Sequence, residues 1–278
     1  MKLVTFVEGD RGPRPGLVVD SGVVDLSAEG FKDPIAFMAA PRSVQTRVAQ
    51  SKATISMDNL KLLAPIPTPP RIFGIGVNYA EHAKESQTET QKVPTVFIVL
   101  SSSVVGPDAD VILPKASANV DYEAELAVVI GKAGYQISAD KAMEHVFGYT
   151  IMNDVSARDV QRATTQWSLG KSFPTFAPMG PWVVSKDEVA DPHSLQISLT
   201  IGGEKLQNSN TSLLIFKIPA LIEYISGIVP LQVGDVISTG TPAGVGMGRT
   251  PQRWLKAGEE MVIEITGIGQ LRNTLVAE

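Results

Sequence analysis

Asp121, Glu123 and Glu125 stand two residues apart in Asp121-Tyr122-Glu123-Ala124-Glu125-Leu126-Ala127-Val128-Val129-Ile130, a segment whose second half is wholly apolar. Side chains alternate faces along a strand. A strand over 121–130 therefore sends the three carboxylates to one side and Ala124, Leu126, Val128 and Ile130 to the other. Like charges that close repel, and burial sharpens the repulsion, so a buried group of this kind stays ionised only beside a neutralising cation. A hard divalent ion is the simplest such cation, because carboxylate oxygens are its preferred ligands. An isolated E-x-E pattern reads more readily as the solvated face of an edge strand, so further residues must support the metal.

Asp154 is the first of these, in Met152-Asn153-Asp154-Val155-Ser156, where an apolar strand gives way to a polar helix start. Alone, the position is that of a helix N-cap. With Glu123 and Glu125 it becomes a third carboxylate at a strand end, and three carboxylates completed by waters suit Mg²⁺ or Mn²⁺ better than zinc. Histidine is scarce, with His82, His145 and His193 only. In Asn78-Tyr79-Ala80-Glu81-His82-Ala83-Lys84-Glu85, Asn78 is placed to cap a short helix with Glu81 three residues on, and His82 and Glu85 share a face. A carboxylate there fixes the imidazole tautomer and raises its basicity, the usual preparation of a general base. An ordinary surface contact has the same spacing. His145 and His193 lie in charged or proline-containing turns and receive no role. Arg158 and Gln161 also share a helical face, and Lys171 follows in a glycine-flanked loop. Turned inward, that lysine would offset the surplus negative charge and stabilise an oxyanion; turned outward, it is solvated like most lysines.

The glycine-rich run Ser238-Thr239-Gly240-Thr241-Pro242-Ala243-Gly244-Val245-Gly246-Met247-Gly248-Arg249-Thr250 is not a phosphate loop, since it lacks the Lys-Ser/Thr ending and a surrounding dinucleotide-type unit. It and Gly74-Ile75-Gly76 read as places where backbone turns tightly or approaches a ligand.

The elements that must position these residues are mostly strands. The reading places strands at 71–77, 95–100, 121–130, 148–153, 181–184, 196–201, 235–239, 260–265 and 269–276, and helices at 79–86, 139–144, 156–164 and 213–226. Few helices among many strands predict an α+β architecture with a rolled or sandwiched mixed sheet rather than alternating βαβ units. The first thirty residues read as a small β-meander, followed by a helix from about 34 to 51. Four prolines at positions 65, 67, 69 and 70 then make an extended connector. That connector predicts a small N-terminal β-rich domain over 1–66 and a main domain over 71–278. The chain has 278 residues, 44% hydrophobic, 24 basic against 29 acidic and no cysteine. This balance excludes thiol and zinc–thiolate chemistry and argues against a nucleic-acid partner, which would require phosphate neutralisation. With no apolar run of spanning length and an early acidic residue, the expectation is a cytoplasmic protein with no membrane partner.

Six ordered stretches resemble the fumarylacetoacetate hydrolase family: 76–82, 102–107, 121–126, 153–159, 170–173 and 234–242. The resemblance implies a mixed β-roll catalytic domain, a homodimer, and Mg²⁺ or Mn²⁺ held by Glu123, Glu125 and Asp154. It implies His82 and Glu85 as a water-activating dyad on a lid helix, Lys171 as an electrostatic partner, and Tyr79, Arg158, Gln161 and Thr241 as substrate contacts. The chemistry implied first is hydrolysis of a C–C bond in a 1,3-dicarbonyl or acylpyruvate-like 2-oxo acid. Isomerisation or decarboxylation of a related 2-oxo acid is the alternative, and a non-catalytic metal-dependent binding protein the remaining one. Two departures bear on the substrate. Val99 and Pro174 replace a lysine and an aspartate common in relatives, and a lost cation near the pocket points to a less acidic or more apolar substrate.

Overall fold

The long apolar runs of the sequence become the centre of one large sheet. In the computed structural model, which describes residues 1–278 apart from the side chain of Asn59, the strand Ala124–Ile130 is buried at every position and lies between Val146–Asn153 and Val236–Ser238. A strand covered on both faces has no polar side to show, hence the unbroken Leu-Ala-Val-Val-Ile rather than an alternating pattern. Each of its Leu, Val and Ile side chains contributes about 1.5–3 kcal/mol on burial.

The twelve-stranded sheet continues outward through Ala177–Ser185, Lys2–Glu8, Arg14–Val19 and Gly22–Asp25 on one side, and through Ile72–Gly76 to Thr95–Val99 on the other. Most pairings are antiparallel, but Val236–Ser238 runs parallel to Ile72–Gly76, so the sheet is mixed. A second, five-stranded sheet is ordered Glu204–Asn210, Gln196–Ile201, Glu260–Ile265, Gly269–Ala277, Asp110–Leu113. One apolar core fills the space between the two sheets, with Leu126 and Val128 facing Ile197, Leu199 and Ile263. A second core, with Ala127 and Val129, lies on the opposite face against Leu3, Leu17 and Phe37. The longest helix covered by the sequence reading, Ile218–Ser226, packs its Leu221, Ile222 and Ile225 into the first core. The chain is α+β.

The strands of residues 1–66 extend the large sheet directly, because Lys2–Glu8 pairs with Ala177–Ser185. Other elements differ from expectation. The helix expected over 34–51 is two, Pro34–Met38 and Arg42–Ala49, divided at Pro41, which has no N–H to continue the ladder. The strands Asp110–Leu113 and Glu204–Asn210 were not expected. The latter, Glu-Lys-Leu-Gln-Asn-Ser-Asn, is too polar for a propensity argument and is held by its antiparallel register against Gln196–Ile201. No described helix is long and apolar enough to cross a membrane.

Candidate active site

The strand predicted over 121–130 is interrupted, and that interruption builds the site. Val120–Asp121 pairs with Ser156–Ala157 in a small sheet of its own, and the main strand begins only at Ala124. Glu123 sits in the break, where its N–H donates to Asn153 Oδ1 at 3.0 Å and its carbonyl accepts the Asp154 N–H at 2.9 Å. Asp154 is thereby locked beside Glu123 and caps nothing; the helix Arg158–Arg162 starts later, with Ala157 at the cap position. One oxygen from each of Glu123, Glu125 and Asp154 lies within 4.8 Å of the others, and all three residues are buried. The solvated-edge alternative is thus set aside. Asp121 leaves the group that strand alternation assigned it to: its carboxylate accepts the N–H groups of Gly246 at 2.7 Å and Met247 at 3.0 Å and pairs with Arg158.

Two cations face this cluster. Lys171 points inward, with Nζ 2.7 Å from both Glu123 Oε2 and Asp154 Oδ2, and Arg158 Nη2 lies 2.6 Å from Glu123 Oε1. Burial pushes Glu123 up, but Lys171 and Arg158 outweigh it and hold the carboxyl at about 2. Asp154 is raised from 3.8 to about 6, by burial first and by Glu123, with Lys171 opposing. Glu125 lies well above its ordinary value through burial and the charges of Asp154 and Glu123. Lys171 is raised because the same two acids outweigh the burial penalty on its charge.

These residues fit a hard dication. Every candidate ligand is a carboxylate oxygen. Asp154 Oδ1 is buried without a hydrogen-bond partner among the described residues. Ser238 Oγ and Gly240 N both donate to Glu125 Oε2, leaving Oε1 without a donor among the described residues. The pH dependence follows from Asp154. Its folded pKa is raised, so in metal-free protein its contribution to stability is complete below its ordinary value and lost as pH rises through about 6. A dication needs the charged form, and its affinity moves the opposite way. The rise in Tm on adding Mg²⁺ is expected to be small near about pH 5 and to grow through about pH 7; equal rises at both, by calorimetry, would contradict this.

The helix Ala80–Glu85 carries the dyad, with His82 Nδ1 2.9 Å from Glu85 Oε1. Glu85 also accepts the Gly244 N–H at 3.0 Å, which ties the helix to the glycine-rich run. Asn78 does not cap the helix. Its amide donates to the Thr239 carbonyl and its oxygen accepts the Phe216 N–H, fastening the base of the helix to two distant segments.

A single pocket is lined by His82, Glu123, Lys171, Arg158, Gln161 and Thr241, so most residues singled out in the sequence meet there. Arg158 Nη1 donates to Gln161 Oε1 at 3.0 Å, and the Thr241 hydroxyl donates to the Ala124 carbonyl. Tyr79 is not in this lining. It is buried, its hydroxyl has no hydrogen-bond partner among the described residues, and burial together with the charge of Glu125 pushes its phenol upward. Val99 is buried in the second core and Pro174 is exposed. Neither lines the pocket, so the argument for a less acidic substrate loses its basis. His193 Nε2 accepts the Ile218 N–H at the start of a helix.

Sequence reasoning missed Phe97, Arg162, Trp167 and Met247 in the lining. Arg162 was findable, being four residues beyond Arg158 on one helix face. The aromatic wall was not. Gly74 and Gly76 lie in the strand Ile72–Gly76 rather than in a turn, added Cβ atoms there would collide with the rings of Phe97 and Trp167, and Gly76 lines the pocket.

The family model described as Fumarylacetoacetate (FAA) hydrolase C-terminal matches residues 71–276. The mitochondrial oxaloacetate tautomerase of Rattus norvegicus is 47% identical over 287 residues, covering 99% of this chain and 92% of its own. The crystal structure of 5-carboxymethyl-2-hydroxymuconate delta-isomerase from Mycobacterium smegmatis is similar with a TM-score of 0.81 and 33% identity, covering 100% of this chain and 99% of that one. Maleylpyruvate hydrolase from Sphingobium sp. SYK-6 is similar with a TM-score of 0.85 and 29% identity, each chain covered in full at 100%.

Proposed function

Since the chain belongs to the fumarylacetoacetate hydrolase family, we propose that this enzyme interconverts the keto and enol forms of a 2-oxo acid of the oxaloacetate type, using a divalent ion. C–C hydrolysis, the first expectation from the sequence, gives place to isomerisation because the relative at 47% identity is a tautomerase. The observation that carries the reading is the convergence of His82, Lys171 and Glu123 on one pocket.

Keto–enol exchange needs a group that moves a proton at carbon and a way to hold negative charge on oxygen meanwhile. Glu85 occupies His82 Nδ1, which leaves Nε2 as the atom that takes the proton from the substrate carbon, after which the enolate oxygen gains a proton to give the enol; in the reverse direction the enol oxygen loses its proton and the imidazolium gives one to carbon. Lys171 and Arg158 supply positive potential where the enolate charge develops. Arg158, Gln161 and Thr241, all in the lining, orient the acid. Held by Glu123, Glu125 and Asp154, Mg²⁺ or Mn²⁺ would supply Lewis-acid stabilisation of the same charge. The chemistry is confined to residues 71–278, with residues 1–66 as the smaller unit.

A homodimer belongs to the same proposal. The edge strand Thr95–Val99 and its surroundings leave Ile98, Leu100 and Leu169 exposed, an apolar margin that a second copy would cover. The likeness to a maleylpyruvate hydrolase supports C–C hydrolysis as a second reading, with the dyad activating water instead.

The test follows the enol absorbance of oxaloacetate beside acylpyruvate cleavage and carbon dioxide release, each with Mg²⁺ or chelator. Enol loss is expected to quicken with Mg²⁺, to return to the buffer rate with chelator, and to slow by roughly 10²-fold in His82→Asn. Enol decay at the buffer rate together with acylpyruvate cleavage would replace the tautomerase by the hydrolase. Turnover of none of the compounds would favour the binding protein.

A further inference from the structure

Among the described residues lining the pocket, Arg162 is the one cation that no carboxylate holds. Arg158 is paired with Asp121 and Glu123, and Lys171 with Glu123 and Asp154, while the His82 imidazole is hydrogen-bonded to Glu85. Arg162 is exposed and in the lining, with no protein partner for its guanidinium among the described residues. An exposed arginine is ordinary on its own; its location is what matters. It ends the helix Arg158–Arg162, so it rises one turn above Arg158 on the same face. Gln161 beside it gives its oxygen to Arg158 Nη1, which turns the Nε2 amide into a donor without a protein acceptor among the described residues. The helix therefore presents a guanidinium and an amide, both unspent, to one pocket.

Charge balance gives that pair a use. At the floor Glu123 lines the pocket, clusters with Glu125 and Asp154 behind it and shares Arg158 with Asp121, so four carboxylates stand against the cations of Arg158 and Lys171, and one dication cancels the remaining negative charge. A loaded floor has no surplus cation for a second acidic group. A 2-oxo acid seated with its oxo-acid end on the floor would direct any distal carboxylate toward the mouth, where only Arg162 has uncommitted charge. We propose that Arg162, assisted by the Gln161 amide, binds this distal carboxylate and makes the protein select dicarboxylic over monocarboxylic 2-oxo acids. The planar guanidinium fork matches a carboxylate in two parallel bonds, which a lysine cannot reproduce. The inference rests on the 2-oxo-acid reading above.

The experiment compares oxaloacetate with 2-oxosuccinamate, which keeps the reacting carbonyl but has a neutral amide in place of the distal carboxylate. The wild type is expected to show a KM lower by about tenfold for oxaloacetate. Arg162→Gln should raise the oxaloacetate KM by about tenfold, move the amide's KM by less than about twofold, and be partly corrected in Arg162→Lys. Calorimetric titration of Mg²⁺-loaded wild type and Arg162→Gln with malate and with its 4-amide reads the same preference without turnover. Loss of the malate preference in Arg162→Gln supports the subsite even if neither oxo acid reacts, in which case the tautomerase reading alone fails. Equal shifts for acid and amide, or a wild type with no preference, overturn the subsite while leaving tautomerisation standing.

Discussion

Exchanging Glu125 for glutamine is expected to lower kcat/KM toward an oxo acid by about 10³-fold and at the same time to raise the Tm of the metal-free protein. The two effects share one cause. Glu125 is buried beside Asp154 and Glu123, and its carboxyl is pushed well above the ordinary range, so its charge is a burden to the fold unless a dication is present. Glutamine has nearly the same shape, and its oxygen can still accept from Ser238 Oγ and the Gly240 N–H, as Oε2 does at 2.6 and 2.9 Å. Local structure is kept while one anionic ligand is lost. The Tm rise that Mg²⁺ produces in the wild type should vanish, read by calorimetry with chelator and with Mg²⁺. Mg²⁺-dependent activity within about tenfold of wild type would remove Glu125 from the metal set.

The second large effect belongs to Lys171→Met. Methionine fills most of the volume but leaves Glu123 and Asp154 without the ammonium that now lies 2.7 Å from each. Breaking a buried ion pair by removing one partner costs about 3–5 kcal/mol, because the stranded charge cannot reach water. Urea unfolding with chelator should show a loss of that order. With saturating Mg²⁺ part of the loss should return, since a dication restores positive charge to the same oxygens. Adding Glu123→Gln should also recover part of it, because the stranded charge is then gone. A Lys171→Met protein as stable as wild type in chelator would mean that the ammonium is not what keeps those carboxylates buried. Loss without Mg²⁺ rescue would place the damage in packing rather than in charge.

Much of the central sheet was legible because it is written in runs of apolar residues. Gln196–Ile201 and Glu260–Ile265 match their expected limits, and the strand ending at Ile130 was plain from its composition. The reading faltered where long-range pairing, not composition, makes the element, as in Glu204–Asn210 and the break after Asp121. The dyad was legible for a different reason: His82 and Glu85 are three residues apart on one helix, so local geometry alone brings them to 2.9 Å.

The order of residues by itself determined the carboxylates at 123, 125 and 154, the His82–Glu85 pairing, an oxygen-only donor set and a strand-rich α+β chain. These depend on residue type and short-range periodicity, which survive in a bare sequence. Only the tertiary structure decided that Asp121 leaves the acidic cluster, that Tyr79 is outside the pocket lining while Arg162 is in it, and that Val99 is buried away from it. The reason is distance along the chain. Lys171 reaches Glu123 across 48 positions, and Gly244 reaches Glu85 across 159, so the partners that set each group's charge and direction come together only when the sheets close.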